Sequence, residues 1–186
     1  YYYSSIQLRA INTLKIIQKH LNDKKKFKKV WQLNERHYGI LTGLNKIEMS
    51  KKLGEEKVHQ FRRSWDLRPD PLSKESEFHP LNISTYKEIP TKFIPDAESL
   101  KDTYDRVMSF FESEITDKIK NANILISAHG NSIRALCKYL FKLDEKQISK
   151  LEVPTGNPLL INIDKNFIIS ECKYLDQERA KDLLVF

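Results

Sequence analysis

The feature that most constrains this chain is a single junction, Asn123-Ile124-Leu125-Ile126-Ser127-Ala128 running straight into His129-Gly130-Asn131-Ser132. A short apolar run rich in β-branched residues reads as a strand buried on both faces. The helical pattern of Ile133 to Leu143 begins at once behind it. A chain that alternates buried strands with helices in this way builds an α/β layered fold around a mostly parallel sheet, with helices on both faces. With 186 residues it makes one domain, 1–186, large enough to bury a continuous core.

The remaining pattern fills in that fold. Ile6, Ala10, Ile11, Leu14, Ile17 and Leu21 recur at helical spacing, with Ser4 or Ser5 as the N-cap. Val30 to Leu33 reads as a short strand and Asn34 to Leu44 as a structured loop. Asn45 caps a helix that runs to Leu53 and stops at Gly54, and a second helix spans Glu55 to Arg63. Five of the seven prolines (Pro69, Pro71, Pro80, Pro90, Pro95) fall within 67–95, which excludes long regular elements there. A loop of that length within one domain generally serves the site. A helix from Ser99 to Lys120 follows, apolar along Leu100, Tyr104, Val107, Phe111, Ile115 and Ile119. A short helix over Glu145–Leu151, a hairpin of Pro158–Ile163 with Phe167–Lys173, and a last helix over Gln177–Leu184 complete the chain. Phe110, Phe111, Tyr139 and Phe141 are expected in the core, and Cys137 as a small buried hydrophobe.

Composition removes several classes of function. The chain is 40% hydrophobic and carries 32 Lys+Arg against 25 Asp+Glu, too apolar and too mixed in sign for a disordered chain. No apolar run approaches the roughly 18 residues of a membrane span. Two cysteines, Cys137 and Cys172, make no disulfide framework, so a reducing, cytoplasmic setting is expected. The net charge of +7 invites nucleic acid as a partner, but the one dense basic run, Lys24-Lys25-Lys26-Phe27-Lys28-Lys29, reads as a solvated loop. The arginines lie in separate segments beside His, Asn and Glu, which suits a small anion better than a polyanion track.

Two segments carry the chemistry. His129 sits where a strand ends and a helix begins, the place where α/β sheets bind ligands and where free helix amides favour an anion. A hydrogen-bonded structural histidine at a strand end is the plainer alternative. Asn34-Glu35-Arg36-His37-Tyr38-Gly39 packs five polar or ionisable side chains into a row, with Glu35 as a candidate general acid/base and a charged turn closed by Gly39 as the alternative. Arg9, Lys46 and the pair Arg62-Arg63 are candidate phosphate clamps, meaningful if they face His129. The five histidines lack the paired spacing of metal ligands, and there is no Gly-rich nucleotide loop.

Together these stretches resemble the cofactor-dependent phosphoglycerate mutases of the histidine phosphatase superfamily. The resemblance rests on Leu33–Gly39, Gly43-Leu44-Asn45-Lys46, Arg62-Arg63-Ser64, Glu98–Thr103, Ala128–Arg134 and Pro154-Thr155-Gly156, in family order over nearly the whole chain, with the insertion at 67–95 between them. It implies interconversion of 3-phosphoglycerate and 2-phosphoglycerate through a phosphohistidine, with 2,3-bisphosphoglycerate as the priming phosphoryl donor and no metal. It implies that Glu35 moves the proton of the substrate hydroxyl and that His129 stabilises charge on the transferring group. Arg9, Gly130 and Asn131 would bind that group, and Arg36, His37, Tyr38, Lys46, Arg62 and Arg63 the rest of the substrate. It also implies a homodimer or homotetramer. The family's nucleophile lies in an Arg-His-Gly motif on the first strand, which is expected upstream of residue 1, since none of the five histidines here aligns with it. A bisphosphoglycerate mutase or phosphatase of the same family, and a catalytically dead fragment that binds phosphorylated acids, are the alternatives. Thr42 stands where the family usually has Gln.

Overall fold

A computed structural model describes residues 1–180, apart from the side chains of Lys46 and Lys52. The end of the expected helix over Gln177–Leu184 lies outside the described residues. Its beginning is a single 3₁₀ turn at Glu178–Ala180.

Three short strands form a parallel sheet. Strand β1 (Tyr2–Ser4) lies in the middle, flanked by β2 (Lys28–Lys29) and β3 (Leu125–Ser127), with Tyr3 opposite Lys28 and Ser4 opposite Ser127. Parallel neighbours need crossovers, and α1 (Leu8–His20) supplies the first. Alternation along β1 then sorts the layers. Tyr3 and its neighbour Ile126 point to one face, where Tyr3 packs edge-on against Phe110 within a core of Val107, Phe111, Ile115, Ala135 and Leu136. That core is the seam between α4 (Leu100–Phe110) and α5 (Gly130–Leu140). Ser4 and Ser127 point the other way, where the Ser127 hydroxyl donates to the Ala10 carbonyl of α1 at 2.9 Å. The helices therefore cover both faces of an α/β layered fold.

Several local expectations shift in instructive ways. Ser4 cannot cap α1 because it belongs to β1, and the helix starts four residues later, at Leu8, with Gln7 rather than Ser5 at its N-cap. Val30 to Leu33 is not a strand: the ladder ends at Lys29, and Trp31–Leu33 turns as a 3₁₀ helix that sinks Leu33 into the core. The long helix from Ser99 is capped as its sequence demands, by a Ser99–Asp102 capping box, but it widens into a π turn at Phe111–Ile115 and tightens to 3₁₀ at Lys118–Lys120. The wide turn keeps both Phe111 and Ile115 buried. In β3, Leu125 and Ile126 are half-buried rather than enclosed, because among the described residues this strand pairs only with β1. Helix α5 begins at Gly130, earlier than its apolar pattern. Tyr139, in its last turn, is 40% exposed while its ring still lies 5.2 Å from Phe111. Phe141 is half-buried beside a second core of Leu100, Cys137, Ile148 and Leu151.

Other elements agree with the sequence pattern closely. Asn45 and Glu48 form a capping box at the head of α2 (Lys46–Leu53), and Gly54 ends it with φ of 80° before α3 (Glu55–Arg63). Helix α6 (Glu145–Lys150) precedes an antiparallel hairpin, β4 (Leu159–Ile163) with β5 (Ile169–Tyr174), which stands as its own two-stranded sheet. The lysines of the 24–29 run are all exposed.

The proline-bearing stretch contains only 3₁₀ turns and is tied to the 34–41 loop by backbone bonds. Ile40 N–H donates to Asp70 O at 3.0 Å and Glu98 N–H to His37 O at 2.8 Å. Gly39 permits the first of these contacts: its φ is +57°, and a Cβ there would be driven into the Asp70 carbonyl oxygen. A buried ion pair locks the second. Arg106 forks onto Glu98 at 2.6 and 3.0 Å, while Glu98 also accepts from His37 N–H at 2.8 Å and Arg106 reaches the Gln32 and Glu35 carbonyls.

Candidate active site

The register of β1 against β3 sets two chain ends side by side, with Ser5 N–H donating to Ser127 O at 3.1 Å. Beyond them His129, in extended backbone conformation, caps α5, its N–H held by Ser132 Oγ at 3.1 Å. The ring then lies between two groups from the start of α1: Arg9 Nε is 2.9 Å from Nδ1 and Ser5 Oγ is 2.8 Å from Nε2. A guanidinium only donates, so Nδ1 is the accepting nitrogen and the ring proton resides on Nε2, pointed at Ser5. Burial, then the charges of Arg9 and Arg106, depress the His129 pKa to about 3. At neutral pH the ring is an uncharged donor.

The Asn34–Tyr38 loop is hung from the same strand end. Asn34 Oδ1 accepts from Ile6 N–H at 3.2 Å, and Gln7 Oε1 accepts from Glu35 N–H at 3.0 Å, while the Gln7 amide donates to the Tyr86 hydroxyl at 2.7 Å. The Glu35 carboxylate is asymmetric. Its Oε1 accepts from Arg36 N–H and from Asn131 Nδ2, each at 2.8 Å, whereas Oε2 accepts no hydrogen bond among the described residues. Asn131 Nδ2 also donates to the Tyr38 hydroxyl at 2.8 Å, so α5 and the loop meet at one amide.

Cations surround this junction. Arg36 is 2% exposed, its guanidinium 4.5 Å above the Tyr38 ring and its Nη2 bonded to the carbonyls of Phe61 and Arg62. Its Nε and Nη1 are buried without a partner, and no carboxylate pairs with it among the described residues. Arg62 also lies over Tyr38, at 5.8 Å. Arg134, 5% exposed, bonds Asn131 Oδ1 and the Ile148 carbonyl, and burial together with Arg63 and Arg36 lowers its pKa to about 10. A cavity of about 430 Å³ opens beside Glu35, Arg36, Tyr38 and Arg62 and continues under the proline-bearing stretch at Ile83 and Tyr86.

The expected site residues are thus partly gathered. Arg9 joins His129 directly, and Glu35, Arg36, Tyr38, Arg62 and Asn131 form one contiguous set, with Gly130 exposed in the first turn of α5. The adjacent pair divides: Arg62 turns to Tyr38, but Arg63 is ion-paired with Glu152. His37 faces the proline-bearing stretch, its ring 6.0 Å from that of His79, which is itself held by Asp96 at 3.0 Å. Lys46 opens α2, and its side chain lies outside the described residues. Ser5, Gln7, Glu98, Arg106 and Arg134 are supports that the sequence pattern alone did not single out. Ser5 reaches His129 across 124 residues, Arg106 reaches Glu35 across 71, Glu98 reaches His37 across 61 and Gln7 reaches Glu35 across 28, whereas the bonds of Arg134 stay within 14. Among the described residues no group of three His, Cys, Asp or Glu is placed to hold a metal ion, and no helix is long and apolar enough to cross a membrane.

Comparison with known proteins shows the family and the fold. The 2,3-bisphosphoglycerate-dependent phosphoglycerate mutase of Pelagibacter ubique is 70% identical over the whole chain, which spans 79% of that protein. The protein of the same name from Hyphomonas neptunium is 45% identical over 97% of the chain and 76% of its own length. Among solved structures, a mycobacterial glucosyl-3-phosphoglycerate phosphatase superposes with a TM-score of 0.58 at 18% identity, over 93% of this chain and 74% of that one. Bacillus stearothermophilus YhfR gives 0.60 at 18% identity, over 88% and 67%. At that identity the two structures speak for the fold alone. The profile of the Histidine phosphatase superfamily (branch 1) matches residues 1–80 and 72–169, and the chain belongs to that superfamily.

Proposed function

We propose that this protein is a phosphoglycerate mutase that interconverts 3-phosphoglycerate and 2-phosphoglycerate, primed by 2,3-bisphosphoglycerate. The observation that carries the reading is a half-committed carboxylate next to a buried guanidinium with donors to spare: Glu35 Oε2 is open to a hydroxyl, and Arg36 Nε and Nη1 have no partner among the described residues. Such orphaned donors fit a phosphate or carboxylate oxygen, which is the test the bisphosphoglycerate must pass here. When bound, 2,3-bisphosphoglycerate supplies the phosphoryl group that primes the enzyme.

The residues of this chain account for binding and proton movement. Arg36 and Arg62, both over Tyr38, hold anionic groups of the substrate in a site whose wall is aromatic. Glu35 Oε2 takes the proton of the attacking hydroxyl and returns it to the departing oxygen, while Oε1 stays bonded to Arg36 N–H and Asn131. His129, neutral and with its proton fixed on Nε2 by Arg9, gives that N–H to a phosphoryl oxygen that replaces Ser5 Oγ as its acceptor, and Arg9 brings charge beside it. Phosphoryl transfer asks mainly for this positioning and charge. The phosphoryl-accepting histidine of the resemblance sits in an Arg-His-Gly motif, which does not occur within these 186 residues. Cytoplasmic location and assembly into a homo-oligomer are carried over with the same reading, and light scattering tests the latter.

The test is isomerisation of 3-phosphoglycerate followed by NMR on the protein as its gene encodes it, with and without 2,3-bisphosphoglycerate. Conversion that requires the bisphosphate supports the reading. Release of inorganic phosphate without isomerisation refutes it in favour of a phosphatase.

A further inference from the structure

We infer that Arg134 is a positioning residue for Glu35: it fixes which way the Asn131 amide faces and so keeps the Asn131 N–H groups on Glu35 Oε1 and on Tyr38. The inference rests on the proposed function for its kinetic consequence but on geometry alone for its structural one.

An asparagine amide has two ends of nearly the same shape and opposite polarity, and a half-turn about its last bond exchanges them. Asn131, 6% exposed, faces the Glu35 carboxylate and the Tyr38 hydroxyl on one side and Arg134 on the other. Arg134 has no acceptor. Its Nη1, 2.9 Å from Asn131 Oδ1, therefore permits only one orientation, with the oxygen toward the guanidinium and the NH₂ toward Glu35. The reversed amide would set N–H against N–H and carbonyl oxygen against carboxylate oxygen. Charge on the guanidinium also draws electron density through the amide and strengthens its N–H donors.

A tie between α5 and α6 is the competing role, since Arg134 Nη2 also bonds the Ile148 carbonyl at 2.5 Å. A neutral donor would serve that purpose. What stands instead is a guanidinium 5% exposed, with no ion pair among the described residues, with Nε buried and unpartnered, and near the further positive charges of Arg36 and Arg63. Burying an unpaired cation is costly. The bond to Asn131 gives that cation a use that no amide side chain reproduces, because Gln or Asn could present either end.

The consequence for the reaction is specific. With the amide fixed, Glu35 Oε1 is saturated and Oε2 alone remains for the substrate hydroxyl. With the amide free, the carboxylate loses a donor and its rotation is no longer set.

A double-mutant cycle tests this. Arg134→Met is expected to lower kcat by about tenfold to a hundredfold, the cost of a slightly misplaced acid–base group, with KM within about twofold. In an Asn131→Ala background the same change is expected to cost less than about threefold, because the residue it acts through is gone. Equal losses in the two backgrounds, or kcat within twofold after Arg134→Met alone, overturn the inference. If Arg134→Met does not fold, Arg134→Gln, which can present either a donor or an acceptor to Asn131, takes its place in the same cycle. Independently of activity, the two side-chain amide proton signals of Asn131 are expected to shift in Arg134→Gln while those of Asn157 stay; unshifted Asn131 signals overturn the inference. Absence of isomerase activity in the unsubstituted protein refutes the proposed function instead, and leaves the amide signals to decide.

Discussion

The neutrality of His129 has a measurable cost in acid. In the folded protein Nδ1 accepts from Arg9, so protonation there means breaking that bond and placing a cation against a guanidinium in a buried site. The folded pKa is about 3, against 6.5 for a free imidazole. Above pH 6.5 neither the folded nor the unfolded state binds the proton and the contribution to stability is intact. As pH falls through 6.5 the unfolded state takes up a proton that the folded state refuses, so stability drops by up to about 1.4 kcal/mol per pH unit until the folded pKa is reached. At pH 4.5 the loss assignable to this one residue is about 2.7 kcal/mol. Urea unfolding at half-unit steps from pH 7.5 to 4.5, in the unsubstituted protein and in His129→Gln, isolates the effect. The difference between the two curves should shrink by that amount as pH falls. Parallel curves would refute the assignment of the accepting role to Nδ1, as would an imidazole signal for His129 that titrates near pH 6.

Other expectations follow from the same geometry. Glu35→Gln should reduce turnover by about a hundredfold or more while binding of 3-phosphoglycerate by calorimetry persists, because the amide keeps the shape and loses the base; turnover within tenfold contradicts the role given to Oε2. Arg106→Met leaves Glu98, 4% exposed, without its partner and should destabilise by about 3–5 kcal/mol, which thermal unfolding reads as a fall of roughly 6–20 °C; a fall under 2 °C contradicts the buried pair. Gly39→Ala should cost more than about 1 kcal/mol, since the residue holds φ of +57° and the added methyl meets the Asp70 carbonyl; unchanged unfolding would mean that the proline-bearing stretch is not seated there.

Local chemistry was legible in the sequence where a few neighbouring residues decide it. Asn45 with Glu48, and Ser99 with Asp102, cap their helices because the partners lie three residues apart, and Gly54 stops α2 for the same local reason. Elements decided by the sheet were less legible. Ser4 looks like a cap but is claimed by β1, and the apolar run at 30–33 looks like a strand but is turned down into the core once the ladder ends. In the site, the identity of Glu35, His129 and the arginines could be read, yet their directions could not. Adjacent Arg62 and Arg63 separate because one finds Tyr38 and the other Glu152. Gln7 earns its place only through Glu35 and Tyr86, 28 and 79 residues away. No periodicity records such partnerships.

The core around Cys137 offers a last consequence. Its thiol is 1% exposed among Leu100, Ile148 and Leu151, and burial pushes its pKa to about 12, so at neutral pH it is neither reachable nor nucleophilic. A thiol reagent can modify it only in the moments when α5 and α6 part. The rate of its modification is therefore a built-in clock for the opening of this half of the molecule, and bound phosphoglycerate should slow that clock wherever binding and closure are linked.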